Sequence, residues 1–217
     1  MTPPSSPDRR PISSRNTGWA QNAARRLAAS RVTPNQISVA SMAFAAIAGA
    51  AFWAAGTTTG WPATLLFLLA AAGAQARLIC NLLDGMVAVE GGKRAASGPF
   101  WNEFPDRIAD IVILGGAGLA ASHPALGFAT ATFAIFTAYV RELGRAIGAP
   151  SDFSGPMAKP HRMAALTIAA VIAALAITGW WQAATILHAA LWIILIGTAL
   201  TVLRRAIRLI SWLNHQS

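Results

Sequence analysis

The chain has 217 residues, of which 55% are hydrophobic and only 12% charged, with a mean hydropathy of +0.50. A soluble domain carries about twice that charged share, and this apolar content is about what six spans of ~20 residues need to cross a bilayer, so a large extramembrane domain is excluded. A net charge of +9 would suit nucleic acid in a soluble protein, but in a membrane protein basic residues report topology, and nucleic-acid binding is set aside.

Residues 1–16 hold four prolines, four serines and three arginines with almost nothing to bury, which predicts a disordered tail; no signal peptide is expected there. From Thr17 to Arg31, Trp19, Ala20, Ala23, Ala24, Leu27 and Ala28 alternate with Arg25, Arg26 and Arg31 in the manner of a short amphipathic helix at the membrane surface, a solvated helix being the alternative. With the turn that follows, this segment is taken as 17–34.

Thr33-Pro34-Asn35 reads as the turn into the first apolar run, Ile37 to Ala55. Further runs follow at Trp61 to Cys80, Ile111 to Ala121, Pro124 to Val140, Met163 to Trp181 and Ala183 to Leu203. The expected fold is therefore all-α: a polytopic membrane domain of six transmembrane helices over 35–209, followed by a C-terminal tail, 210–217. Cys80 stands alone in an apolar run, which rules out a disulfide framework or cysteine metal site within the chain.

All seventeen Lys and Arg lie before Val32, from Arg77 to Arg107, between Arg141 and Arg162, or after Leu203. The three intervening loops carry none, which is the positive-inside asymmetry for cytoplasmic termini and an even number of spans. The acidic residues share those segments, and that rule does not require it. Acidic residues gathered on one side point to a site there.

The densest group runs from Asn81 through Asp84, Gly85 and Ala88, over a Gly91-Gly92-Lys93-Arg94 loop, to Asn102, Asp106 and Asp110. Positions three or four apart share a helix face, so Asn81, Asp84 and Ala88 form one stripe and Asp106 and Asp110 another. The third apolar run is only eleven residues, roughly 16 Å of helix against a hydrocarbon core of about 30 Å, so the helix must extend back through both aspartates. Buried carboxylates need a polar cavity, a metal or a cation as partner; the alternative is that these aspartates cap helices at the interface and pair with Arg77, Arg94 or Arg107. Oxygen ligands of this type suit Mg2+ or Mn2+ better than zinc, and Mg2+ commonly joins carboxylates to phosphates. Gly85 leaves room for close approach and Ala88 keeps its stripe open. The Gly-rich loop reads either as a phosphate contact or as a flexible connector.

The segment Asn81 to Asp110 resembles the signature of the CDP-alcohol phosphatidyltransferase family, D-x-x-D-G-x-x-A-R, a spacer, then G-x-x-x-D-x-x-x-D. Three positions depart from it: Asn81, Val89 and Asn102 stand for an aspartate, an arginine and a glycine. The resemblance implies an integral membrane transferase moving a phosphatidyl group from CDP-diacylglycerol to the hydroxyl of a polar alcohol, with release of CMP. A CDP-choline or CDP-ethanolamine donor acting on a lipid, or a catalytically degenerate membrane protein, is the alternative. The implied metal ligands are Asn81, Asp84, Asp106 and Asp110, with Asp110 also the general base. The substrate-binding residues are Asn81, Gly85, Ala88, Arg141, Arg145, Lys159 and Arg162, the last four as a phosphate pocket or, alternatively, as topology signals. A bacterial inner-membrane location with the site facing the cytoplasm follows, and the stripes Gly115, Gly116, Gly118 and Gly144, Gly148 are consistent with a homodimer.

Overall fold

In the computed structural model, which describes residues 13–93, 95–176 and 180–216, helices are joined by turns and loops, with no strand among the described residues. A short 3-10 turn at Ser13–Asn16 ends the segment expected to be disordered; the rest of it lies outside the described residues. The helices are α1 (Gly18–Ala29), α2 (Pro34–Gly56), α3 (Trp61–Glu90), α4 (Gly98–Ala120), α5 (Pro124–Ala146), α6 (Lys159–Leu175) and α7 (Trp180–Asn214). Among the described residues three segments, Pro34–Gly56, Trp61–Val89 and Ala183–Asn214, are long and apolar enough to cross a membrane.

Helix α2 starts where the sequence placed its turn. Thr33 accepts from the Gln36 amide at 3.3 Å while the Gln36 side chain accepts from the Thr33 amide at 2.9 Å, a reciprocal cap that satisfies two of the helix's orphan donors. The apolar runs underestimate four helices at their basic ends. Helix α3 continues past Cys80 to Glu90, α4 begins at Gly98, α5 runs on to Ala146, and α7 extends through most of the supposed tail to Asn214. The added turns of α3, α4 and α5 carry polar residues that line a common site. Helix α6 instead stops at Leu175, short of the expected Trp181, and Trp180 opens α7; residues 177–179 lie outside the described residues.

Helix α2 packs against α3 and α4, α4 against α5, α3 against α6, and α7 against α5 and α6. Their shared core is mainly alanine, with Phe52, Phe67, Ile113, Leu166, Leu187 and Leu191 filling the wider gaps. Close crossings need glycine. A Cβ on Gly116 would lie 2.4 Å from the Gly49 carbonyl oxygen, and one on Gly127 would lie 2.7 Å from Gly118 Cα. Gly116 and Gly118, expected to drive association between chains, are thus used within the chain. Helix α1 lays Ala20 and Ala24 on Leu82, Leu83, Met86 and Val87 of α3 and leaves Trp19 exposed, so its apolar face is divided between protein and surroundings.

Candidate active site at the basic ends of the helices

Successive helices run in alternating directions, which brings every second loop to one end, and that end holds a cavity of about 480 Å³. Its lining draws on the start of α2, the end of α3, the start of α4, the end of α5, the start of α6 and Arg205 of α7. Arg15, Lys93, Arg107, Arg141, Arg145, Lys159, Arg162 and Arg205 line it, against Asp84, Glu103, Asp106 and Glu142. A hollow with this excess of basic groups attracts anions.

The acidic residues have separate surroundings. Asp84 is 4% exposed; its Oδ2 accepts from the Ser38 hydroxyl at 2.7 Å, and Oδ1 has no hydrogen-bond partner. Asp106 is fully engaged: Arg77 donates to Oδ1 at 2.9 Å, Asn81 Nδ2 donates to the same oxygen at 3.1 Å, and Lys159 Nζ donates to Oδ2. Lys159 Nζ also donates to Asn81 Oδ1 at 2.6 Å. Asp110 accepts from Arg162 Nη2 at 2.9 Å, with Arg77 Nη2 3.9 Å from its other oxygen. It is 1% exposed and does not line the cavity, whereas Arg162 does.

Of the expected metal ligands, then, Asn81 and Asp106 meet each other, while Asp84 and Asp110 take other partners. Among the described residues no three His, Cys, Asp or Glu side chains are grouped to hold a metal. A buried carboxylate with an unused oxygen and no cation on it fits a divalent ion, and Asp84 is such a group. Asp106 is already neutralised by Arg77 and Lys159.

Gly85 and Ala88 line the cavity, as do Val89 and Asn102. A Cβ on Gly85 would meet nothing within 4 Å, so the space it leaves is open. Arg141 pairs with Glu103 and Glu142, and Arg145 with Glu142 at 2.9 Å. Lys93 donates to the Ser30 and Val32 carbonyls at 2.6 and 3.1 Å, which ties its loop to the α1–α2 connection; Arg94 lies outside the described residues.

Sequence reasoning missed Ser38, Glu103 and Arg205 as parts of the site, and named Arg77 only as one of several basic residues, with Arg94 and Arg107, that could pair with the aspartates. Arg77 carried a signal, being a cation inside an apolar run one turn before Asn81. Arg205 donates to the Thr137 and Ser154 carbonyls at 2.6 and 2.9 Å and so anchors the α5–α6 loop on α7. In that loop burial works to raise the Asp152 carboxyl pKa, but hydrogen bonds from Ser154 and the nearby Arg208 and Arg205 outweigh it and hold it below the usual carboxylate range.

No protein-family model matches the chain. Over 134 residues it is 28% identical to the phosphatidylinositol phosphate synthase of Streptomyces avermitilis, covering 58% of this chain and 55% of that protein. The match thus spans about half the length of the curated relative. The fold is shared with solved structures of the Mycobacterium tuberculosis phosphatidylinositol phosphate synthase. With CDP-DAG bound, that enzyme aligns at a TM-score of 0.69 and 20% identity over 88% of this chain and 92% of its own. Its complex with manganese and citrate aligns at 0.70 and 18%, over 88% of each chain. These similar proteins are CDP-alcohol phosphatidyltransferases, the family that the segment from Asn81 to Asp110 resembles.

Proposed function

We propose that this chain is an integral membrane transferase that moves a phosphatidyl group from CDP-diacylglycerol to the hydroxyl of a polar alcohol. The observation that carries this reading is the placement of Asp84, Gly85, Ala88 and Asp106 on the wall of a basic cavity, in a fold whose solved relative holds CDP-DAG.

In this mechanism the acceptor oxygen forms a bond to the phosphorus bearing the diacylglycerol, and the bond from that same phosphorus to the bridging oxygen breaks. The electron pair of that bond leaves on CMP. The hydroxyl proton passes to Asp110, which lies directly behind Arg162 of the cavity wall and whose Oδ1 has no hydrogen-bond partner. Arg141, Arg145, Lys159 and Arg162 hold phosphate oxygens, and the open stripe of Gly85 and Ala88 receives the nucleotide. Asp84 would anchor Mg2+ or Mn2+, which when bound neutralises charge on the diphosphate, the main requirement of phosphoryl transfer. The manganese complex of the solved relative supports this choice of ion.

The reading includes six spans, α2 to α7, with α1 at the membrane surface and both termini in the cytoplasm of a bacterial cell. Exposed apolar side chains such as Trp53, Leu65, Ile172, Ile196 and Leu200 give the bundle a surface suited to lipid. Cysteines placed at Thr58 or Ser122 are expected to react with an impermeant reagent on intact cells, and one at Ser97 only after lysis. Labelling of Ser97Cys on intact cells contradicts the orientation.

The donor assignment is tested by calorimetric titration of the purified chain with CDP-diacylglycerol in the presence and absence of Mn2+. Binding that strengthens with Mn2+ and is displaced by CMP is expected; binding indifferent to both contradicts the assignment.

A further inference from the structure

The buried acidic cluster divides into two unequal parts. Around Asp106 the charge is already balanced from within: Arg77 and Asn81 take Oδ1, and the Lys159 ammonium bridges Oδ2 and the Asn81 carbonyl oxygen. A carboxylate and an amide oxygen converging on one cation is the arrangement a hard metal ion would use. Here that cation belongs to the protein. With asparagine at 81, this pair of ligands carries one negative charge, so a dication is held there less strongly than by two carboxylates and an ammonium already in place is harder to displace. Among the described residues Asp84 forms no ion pair: the Ser38 hydroxyl donates to Oδ2, the Gly85 backbone also bonds to the carboxylate, and Oδ1 is buried without a hydrogen-bond partner. Lys159 is held in place from both sides, as the first residue of α6, with Pro160 setting the helix start and a side chain only 12% exposed.

We infer that Lys159 is a built-in cation of the site, its ammonium taking the position between Asn81 and Asp106 that a divalent ion would otherwise occupy. This deepens the metal-dependent reading of the site and rests on it for its catalytic meaning, but its test does not depend on turnover. A dication beside the ammonium meets direct repulsion, so the Asp106 side takes none while Lys159 is present.

The test counts Mn2+ bound per chain by electron paramagnetic resonance titration of the full-length protein in detergent, for wild type, Lys159→Gln and Lys159→Met. Each substitution is expected to add about one bound Mn2+ per chain, a gain that loss of a merely structural contact does not produce. Equal counts in all three overturn the inference, while the wild-type count still reports whether the site binds a metal. Wild type binding none and the variants one would uphold it and defeat the metal-dependent reading instead. Should both variants fail to fold, the wild-type spectrum at saturation decides. An isolated-ion signal supports the inference, and the exchange-coupled signal of a carboxylate-bridged pair overturns it.

Discussion

Asp110→Asn is expected to lower kcat by about 10²- to 10⁴-fold while leaving CDP-diacylglycerol binding measurable, because it removes the proposed proton acceptor and spares the groups on the cavity wall. The amide oxygen still accepts from Arg162, so the contact at 2.9 Å survives in neutral form. What is lost is the negative charge opposing a guanidinium that is 1% exposed as a residue, and breaking a buried pair typically costs about 3–5 kcal/mol when one partner is deleted outright. With the hydrogen bond retained, a smaller loss is expected. Thermal unfolding in detergent, run beside the kinetics, separates the two effects. A variant that unfolds near the wild-type temperature, binds the donor and fails to turn over supports Asp110 as base. Near-normal turnover contradicts it.

Arg77→Met should give the largest loss of stability of any single change at the site. Arg77 is fully buried and donates to the Asp106 side chain at 2.9 Å and to its carbonyl at 3.3 Å, with Asp110 3.9 Å away. Its removal leaves two buried carboxylates with one balancing cation fewer, a change of about 3–5 kcal/mol by analogy with broken buried pairs. The lower end of that range is expected, because Arg77 Nε and Nη1 have no hydrogen-bond partner and their desolvation cost disappears with the side chain. Lys159 and Arg162 also still reach the two aspartates. Denaturant unfolding followed by tryptophan fluorescence checks the size, and a loss below about 1 kcal/mol would show that the ion network is not a structural support.

The sequence makes the local features of this molecule visible and hides the pairings. Thr33 and Gln36 stand at capping-box spacing, and the shortness of the third apolar run forces Asp106 and Asp110 into α4, where they are found. One-sided charge likewise anticipates a cavity at one end of the bundle. By contrast, Lys159 is 78 positions from Asn81 and Arg162 is 52 from Asp110. No local period encodes such distances, since they depend on how α3, α4 and α6 come to lie together. Both basic residues were expected as phosphate ligands; that they first neutralise the acidic cluster follows only from the packing. The end of α6 was also hidden, because apolar residues continue through Trp181 whichever side of the break they belong to.

The most direct test of the central claim is incubation of the purified chain in vesicles with CDP-diacylglycerol, labelled in the phosphate attached to diacylglycerol, and Mn2+, together with a panel of polar alcohols and their phosphates. The account predicts release of CMP in step with appearance of the label in a new phospholipid, dependent on one class of acceptor and lost in Asp84→Asn. CDP-diacylglycerol left intact with every acceptor, by a chain that is folded and retains wild-type Mn2+ binding, would contradict it.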